Sequence, residues 1–89
     1  MEVKDFVKLF NQESEIKLDD KGNFYIKDNY LSITKVKETR DNSYIVDFII
    51  NNGIEEKGYT AGSLLSFSFI LRGFAVLMSK PSSSKFIFN

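Results

Sequence analysis

The sequence predicts a single α+β domain: an N-terminal helix, an antiparallel β-meander, then a helix packed on one sheet face and a returning strand. Three observations lead there. Apolar residues recur at helical spacing near the start, and short alternating segments separated by turn residues fill the middle. The apolar run at 59–78 then carries a helix-length stretch with capping residues at both ends. At 89 residues, 43% of them hydrophobic, the chain can bury one modest core. The domain is expected over residues 1–80, with 81–89 as a short linker and C-terminal tail or edge strand.

Val3, Phe6, Val7 and Phe10 fall at i, i+3, i+4 and i+7, which puts one apolar stripe on a short helix. Glu2 and Asp5 sit near its start and Lys8 near its end, the order the helix dipole favours. Asn11 is expected to end it. A first hairpin is expected between residues 15–18 and 24–27, turning at 19–23, where Gly22 supplies a positive φ and Asp20 can bond the backbone ahead. Asp28-Asn29 makes a second break before a longer strand at 30–37. A loop around Thr39, Arg40, Asp41 and Asn42 leads to a strand at 43–51, and Asn52-Gly53 signals a two-residue type I′ hairpin.

Those two turns imply registers. The Asn52-Gly53 loop sets Asn51 opposite Ile54, Ile50 opposite Glu55, Phe48 opposite Lys57 and Val46 opposite Tyr59. Pairing Glu38 with Ser43 sets Ile33 opposite Phe48 and Leu31 opposite Ile50. Side chains alternate along a strand, so Leu31, Ile33, Val46, Phe48, Ile50 and Tyr59 share one face. Lys35 and Lys57 point to that face and would snorkel to its rim, while Val36, Ile45 and Ile49 fall on the other.

In the apolar stretch, Thr60 is the expected N-cap and Tyr59 staples onto Leu64. Gly73 takes the C′ position, with Phe74 closing onto Phe69. The helix then covers 61–72, with Ala61, Leu64, Leu65, Phe67, Phe69 and Leu71 on its core arc and Ile70 on its polar side. Residues 74–78 form the returning strand. The competing reading is a hairpin turning at Arg72-Gly73. Pro81 and the three serines after it make the linker.

The chemistry is more limited. There is no Cys and no His, so thiol and imidazole catalysis are out of reach, and no metal or cofactor is expected. Net charge is zero, where nucleic-acid binding normally shows a basic excess. The charge is unevenly placed: residues 1–60 hold all twelve carboxylates and nine of the twelve basic groups. No signal-peptide order is seen, and residues 64–78 are too short and too interrupted for a span, so a cytoplasmic protein is expected. Lys, Ile, Asn and Phe usage fits an AT-rich coding sequence of the kind common in phage and mobile elements.

Three partial motifs are best read as structure. Gly58 to Ser63 offers a glycine-bearing helix start without the Gly-Lys-Ser/Thr of a P-loop. Asp19, Asp20 and Asn23 crowd one turn without calcium-loop spacing. Glu55, Glu56 and Asp47 do not converge on one face. What remains is binding. The sequence favours a small non-enzymatic adaptor or inhibitor that binds another protein and can self-associate as a homodimer, through Val36, Ile45 and Ile49 on the second sheet face and Phe86, Ile87 and Phe88 in the tail. Second comes single-stranded nucleic acid, with Tyr25 and Tyr30 stacking bases and Lys27 and Lys35 tracking phosphates. An enzyme comes third.

Overall fold

A computed structural model of the chain describes residues 1–80. Helix α1 (Val3–Glu13) leads into strands β1 (Asn23–Ile26), β2 (Asn29–Glu38), β3 (Tyr44–Asn51) and β4 (Glu56–Ala61), and helix α2 (Leu64–Ser79) follows. The four strands form one antiparallel sheet in the order β1-β2-β3-β4. Both helices pack on the same face of it, and Phe67 of α2 is the meeting point. Its ring lies edge-on to Phe6 at 5.9 Å, Phe10 at 5.4 Å and Phe48 at 5.5 Å. Such pairs add roughly 0.5–1.5 kcal/mol each to the area they bury.

α1 buries Phe6, Val7 and Phe10, as the i, i+3, i+4, i+7 pattern requires. It runs past Asn11, whose side chain does another job. The Asn11 amide donates to the carbonyl of Leu18 at 2.9 Å, and its oxygen accepts the Leu18 N–H at 3.0 Å. Residues 15–18 form no strand, because the ladder groups of Leu18 are already taken. The 19–23 turn does form: Asp19 accepts the N–H groups of Lys21 and Asn23, and Gly22 has φ 85°. β1 pairs instead with β2, through a tight turn at Lys27-Asp28 in which Lys27 takes φ 54°.

Between β2 and β3 the expected pairs Leu31–Ile50 and Ile33–Phe48 are present. A β-bulge between Ile33 and Lys35 then shifts the rest by one residue, giving Val36–Val46 and Glu38–Tyr44. One inserted residue exchanges the two faces beyond it. Val36, expected outside, is therefore in the core at 3% exposure, and Lys35, expected over the core, is exposed. Thr34 sits in the bulge, and its hydroxyl donates to the Asp47 carbonyl.

The β3–β4 loop is longer than two residues. Gly53 does take φ 88°, but the Asn52 side chain accepts the N–H groups of both Ile54 and Glu55, and Asn51 accepts that of Gly53. The loop spans 52–55, and the register moves by two, to Phe48–Tyr59 and Val46–Ala61. An even shift keeps every side chain on its face, so Tyr59 still stacks on Phe48, at 5.7 Å.

α2 departs furthest from expectation. Thr60 stays in the β4 ladder, its hydroxyl donating to the Asp47 carboxylate at 2.7 Å. Ser63 is the N-cap and accepts the Ser66 N–H. The helix passes through Gly73 to Ser79, so no returning strand forms among the described residues. The extension buries Phe74 against Phe24, with ring centroids 6.2 Å apart. Burying a Phe is worth about 1.5–3 kcal/mol, more than the roughly 0.5–1 kcal/mol that a helical glycine costs. No helix among the described residues is long and apolar enough to cross a membrane.

Candidate functional site

The exposed apolar surface lies on α2 rather than on the second sheet face. The helix buries Phe67, Leu71 and Phe74, spaced four and three apart, which fixes its phase. Leu65 and Phe69, expected on the core arc, are therefore turned outward at 65% and 64% exposure. Val76, Leu77 and Ile70 are exposed beside them. At 100° per residue, Leu65, Phe69, Gly73 and Val76 fall within about 80° of one another and form the centre of this face. Arg72 is its only charged group, one turn on from Ser68, and forms no ion pair among the described residues. Gly73 is open: a Cβ built there meets nothing within 4 Å. At the N-terminal end of the face, a cavity of about 230 Å³ lies between the helices, lined by Leu9, Glu13, Ser14, Leu64, Leu65 and Ser68. The apolar surface thus runs from Leu9 on α1 onto Leu65 on α2, with a carboxylate at its border.

The residues singled out from the sequence scatter more widely. Ile45 and Ile49 do lie on the outer sheet face, each half-buried and separated by Asp47. Val36 is withdrawn into the core by the bulge. Phe86, Ile87 and Phe88 lie outside the described residues.

Tyr25 and Tyr30 are brought together as a cross-strand pair, their rings 5.9 Å apart. The Tyr30 hydroxyl donates to the Glu56 carboxylate at 2.8 Å, and that hydrogen bond to an acid raises its pKa above the usual phenol value. Lys27 sits in the turn and donates to the carbonyl of Lys80. Lys35 lies further along the sheet, opposite Asp47. The four residues therefore make no continuous cationic track, and an acid stands beside the aromatic pair.

The other acidic groups serve local structure. Asp19 organises its turn, Asp47 accepts from Thr60, and hydrogen bonding to the Thr39 hydroxyl lowers the pKa of Asp41 below the usual carboxylate range. No group of three or more carboxylates that could hold a metal ion occurs among the described residues. A broad depression of about 970 Å³ beside α1 is lined by Val3, Val7, Lys4, Lys8, Asp20 and Lys21, with cations and carboxylates mixed at its rim.

No family model, curated protein or solved structure matches the chain. α2 packs one apolar stripe, Phe67, Leu71 and Phe74, against the rest of the domain and leaves a second, Leu65, Phe69 and Val76, exposed.

Proposed function

We propose that this chain is a small, non-enzymatic protein-binding module, an adaptor or inhibitor, whose contact surface is the outward face of α2. One observation carries the reading: Leu65, Phe69, Ile70, Val76 and Leu77 are exposed together along a single helix that already buries a full apolar stripe elsewhere. Contiguous apolar surface of this kind marks interaction sites. Phe and Arg, as at Phe69 and Arg72, are residue types enriched in protein interfaces. The outer sheet face, with Ile45 and Ile49 half-buried among Asp47, Lys35 and Thr60, offers a more polar and less continuous surface.

The test is capture by the immobilised chain from an extract of its source, compared with Leu65→Asp and Phe69→Asp. Both substitutions are at exposed positions, so circular dichroism should be unchanged. Specific capture by the parent chain, lost at least tenfold in both variants, is the expected outcome. Capture that survives both substitutions rules the α2 face out. A salt-sensitive shift of single-stranded oligonucleotide that depends on Tyr25 and Tyr30 would move the function to the outer sheet face.

A further inference from the structure

We infer that the partner of the α2 face is a second copy of the chain, docked with the two α2 helices antiparallel about a two-fold axis at Phe69. The inference rests on the reading of α2 as a protein-binding face and adds who binds it and in what geometry. The α2 face is self-complementary in shape and charge. An isologous interface requires that the same patch fit itself when rotated by 180°.

Take shape first. With the axis at Phe69, the two Phe69 rings meet. Each residue then faces the one equally far from Phe69 on the other copy. Leu65 lies four residues before Phe69 and Gly73 four after it, so each exposed Leu65 sits over the open Gly73 of the second copy. The two-fold repeats this pairing, so a large side chain faces a glycine at both ends of the contact. That is what lets two backbones approach closely.

Charge points the same way. An antiparallel two-fold lying in the interface sets each flank of one helix against the same flank of the other. Glu13 lines the cavity with Leu64, Leu65 and Ser68, so it stands on the Ser68 flank at the N-terminal end. Arg72 is four residues beyond Ser68 and falls on that same flank toward the other end. Rotation about Phe69 therefore carries Arg72 of one copy to the level of Glu13 of the other, twice per dimer. A parallel pairing would instead set the two Arg72 side chains at one level, with each Glu13 out of reach. Neither Glu13 nor Arg72 forms an ion pair with another described residue, so both are free to do this. A 16-residue helix is about 24 Å long, so the contact is modest in size and its dimer is expected to dissociate on dilution.

The chain contains no Cys, which gives a direct test. Phe69→Cys, under mild oxidation, should yield a covalent dimer, whereas Thr34→Cys on the outer sheet face should not. By sedimentation, Arg72→Glu and Glu13→Arg should each weaken the dimer at least tenfold, and the double exchange Glu13→Arg/Arg72→Glu should restore it. All these positions are exposed, and circular dichroism before oxidation confirms that each variant folds. A parent chain that stays monomeric at millimolar concentration overturns the inference, as does crosslinking no faster at Phe69→Cys than at Thr34→Cys. So does a dimer in which the charge exchange fails to rescue. If the chain is monomeric yet captures a different protein through Leu65 and Phe69, the second copy is the wrong occupant and the binding face stands. A monomer that instead binds anionic lipid vesicles through those residues removes both readings.

Discussion

α1 and α2 lie on one sheet face and share a core around Phe67, yet they end differently toward solvent. α1 turns Lys4, Asp5, Lys8, Gln12 and Glu13 outward, with Leu9 the one large apolar exception, beside the start of α2. Its burial is complete within the chain. α2 turns outward Leu65, Phe69, Ile70, Val76 and Leu77, with Arg72 alone among them charged. An amphipathic helix needs one neighbour. α2 buries one apolar stripe and leaves a second exposed, and that is the difference between the two helices.

The largest expected effect tests which side of α2 is core. Phe67→Ala should cost about 3–5 kcal/mol, because Phe67 is fully buried among Phe6, Phe10 and Phe48. Phe69→Ala should stay within about 0.5 kcal/mol in dilute solution. Urea denaturation of both variants at low concentration decides it, and equal losses would break the comparison.

A smaller effect tests how α1 is held. A Cβ at Gly22 would lie 2.7 Å from Cγ1 of Val3 and 3.1 Å from Cβ of Ile33, on a backbone with φ 85°. Gly22→Ala should therefore destabilise by more than about 1 kcal/mol, the general scale for alanine at an incompatible φ. Gly53→Ala has a similar φ of 88° but no neighbour nearer than 3.8 Å, so it should cost less. If the two substitutions lower the urea midpoint equally, the contact of α1 with the 19–22 turn is not close-packed.

The smallest effect is a matter of sign. Gly73 lies inside α2 with open space around it. Gly73→Ala should stabilise the monomer by about 0.5–1 kcal/mol through helix propensity. Were Gly73 a left-handed C′ residue, as its neighbours in sequence suggest, the same substitution would destabilise. Thermal melting in dilute solution gives the sign.

The phase of α1 is legible in its residues because Val3, Phe6, Val7 and Phe10 stand out against charged neighbours. The same logic gives the inner face of β2, where Leu31 and Ile33 alternate with Tyr30, Ser32 and Thr34, and pairing with β3 then places Phe48 and Ile50 on that face. Even the misjudged Asn52-Gly53 loop preserved the faces, because its error was an even number of residues. Val36 and Lys35 are another matter. A bulge is one residue of slack, and the sequence around Thr34 reads equally well with or without it; the packing of Val36 beside Val46 selects it.

The candidate site was hidden for a related reason. Leu65 and Phe69 are conspicuous as apolar residues, but in a helix with apolar stripes on two opposite faces pattern alone does not say which stripe faces inward. That is set by partners distant in the chain, when Phe67 finds Phe6, Phe10 and Phe48, and Phe74 finds Phe24. The phase of α1, the inward alternation of Leu31 and Ile33 and the absence of Cys and His follow from local chemistry and composition. The end of β4, the length of α2 and the exposure of its second apolar stripe follow from long-range packing, whose energy per buried ring exceeds the local signals of a cap or a glycine.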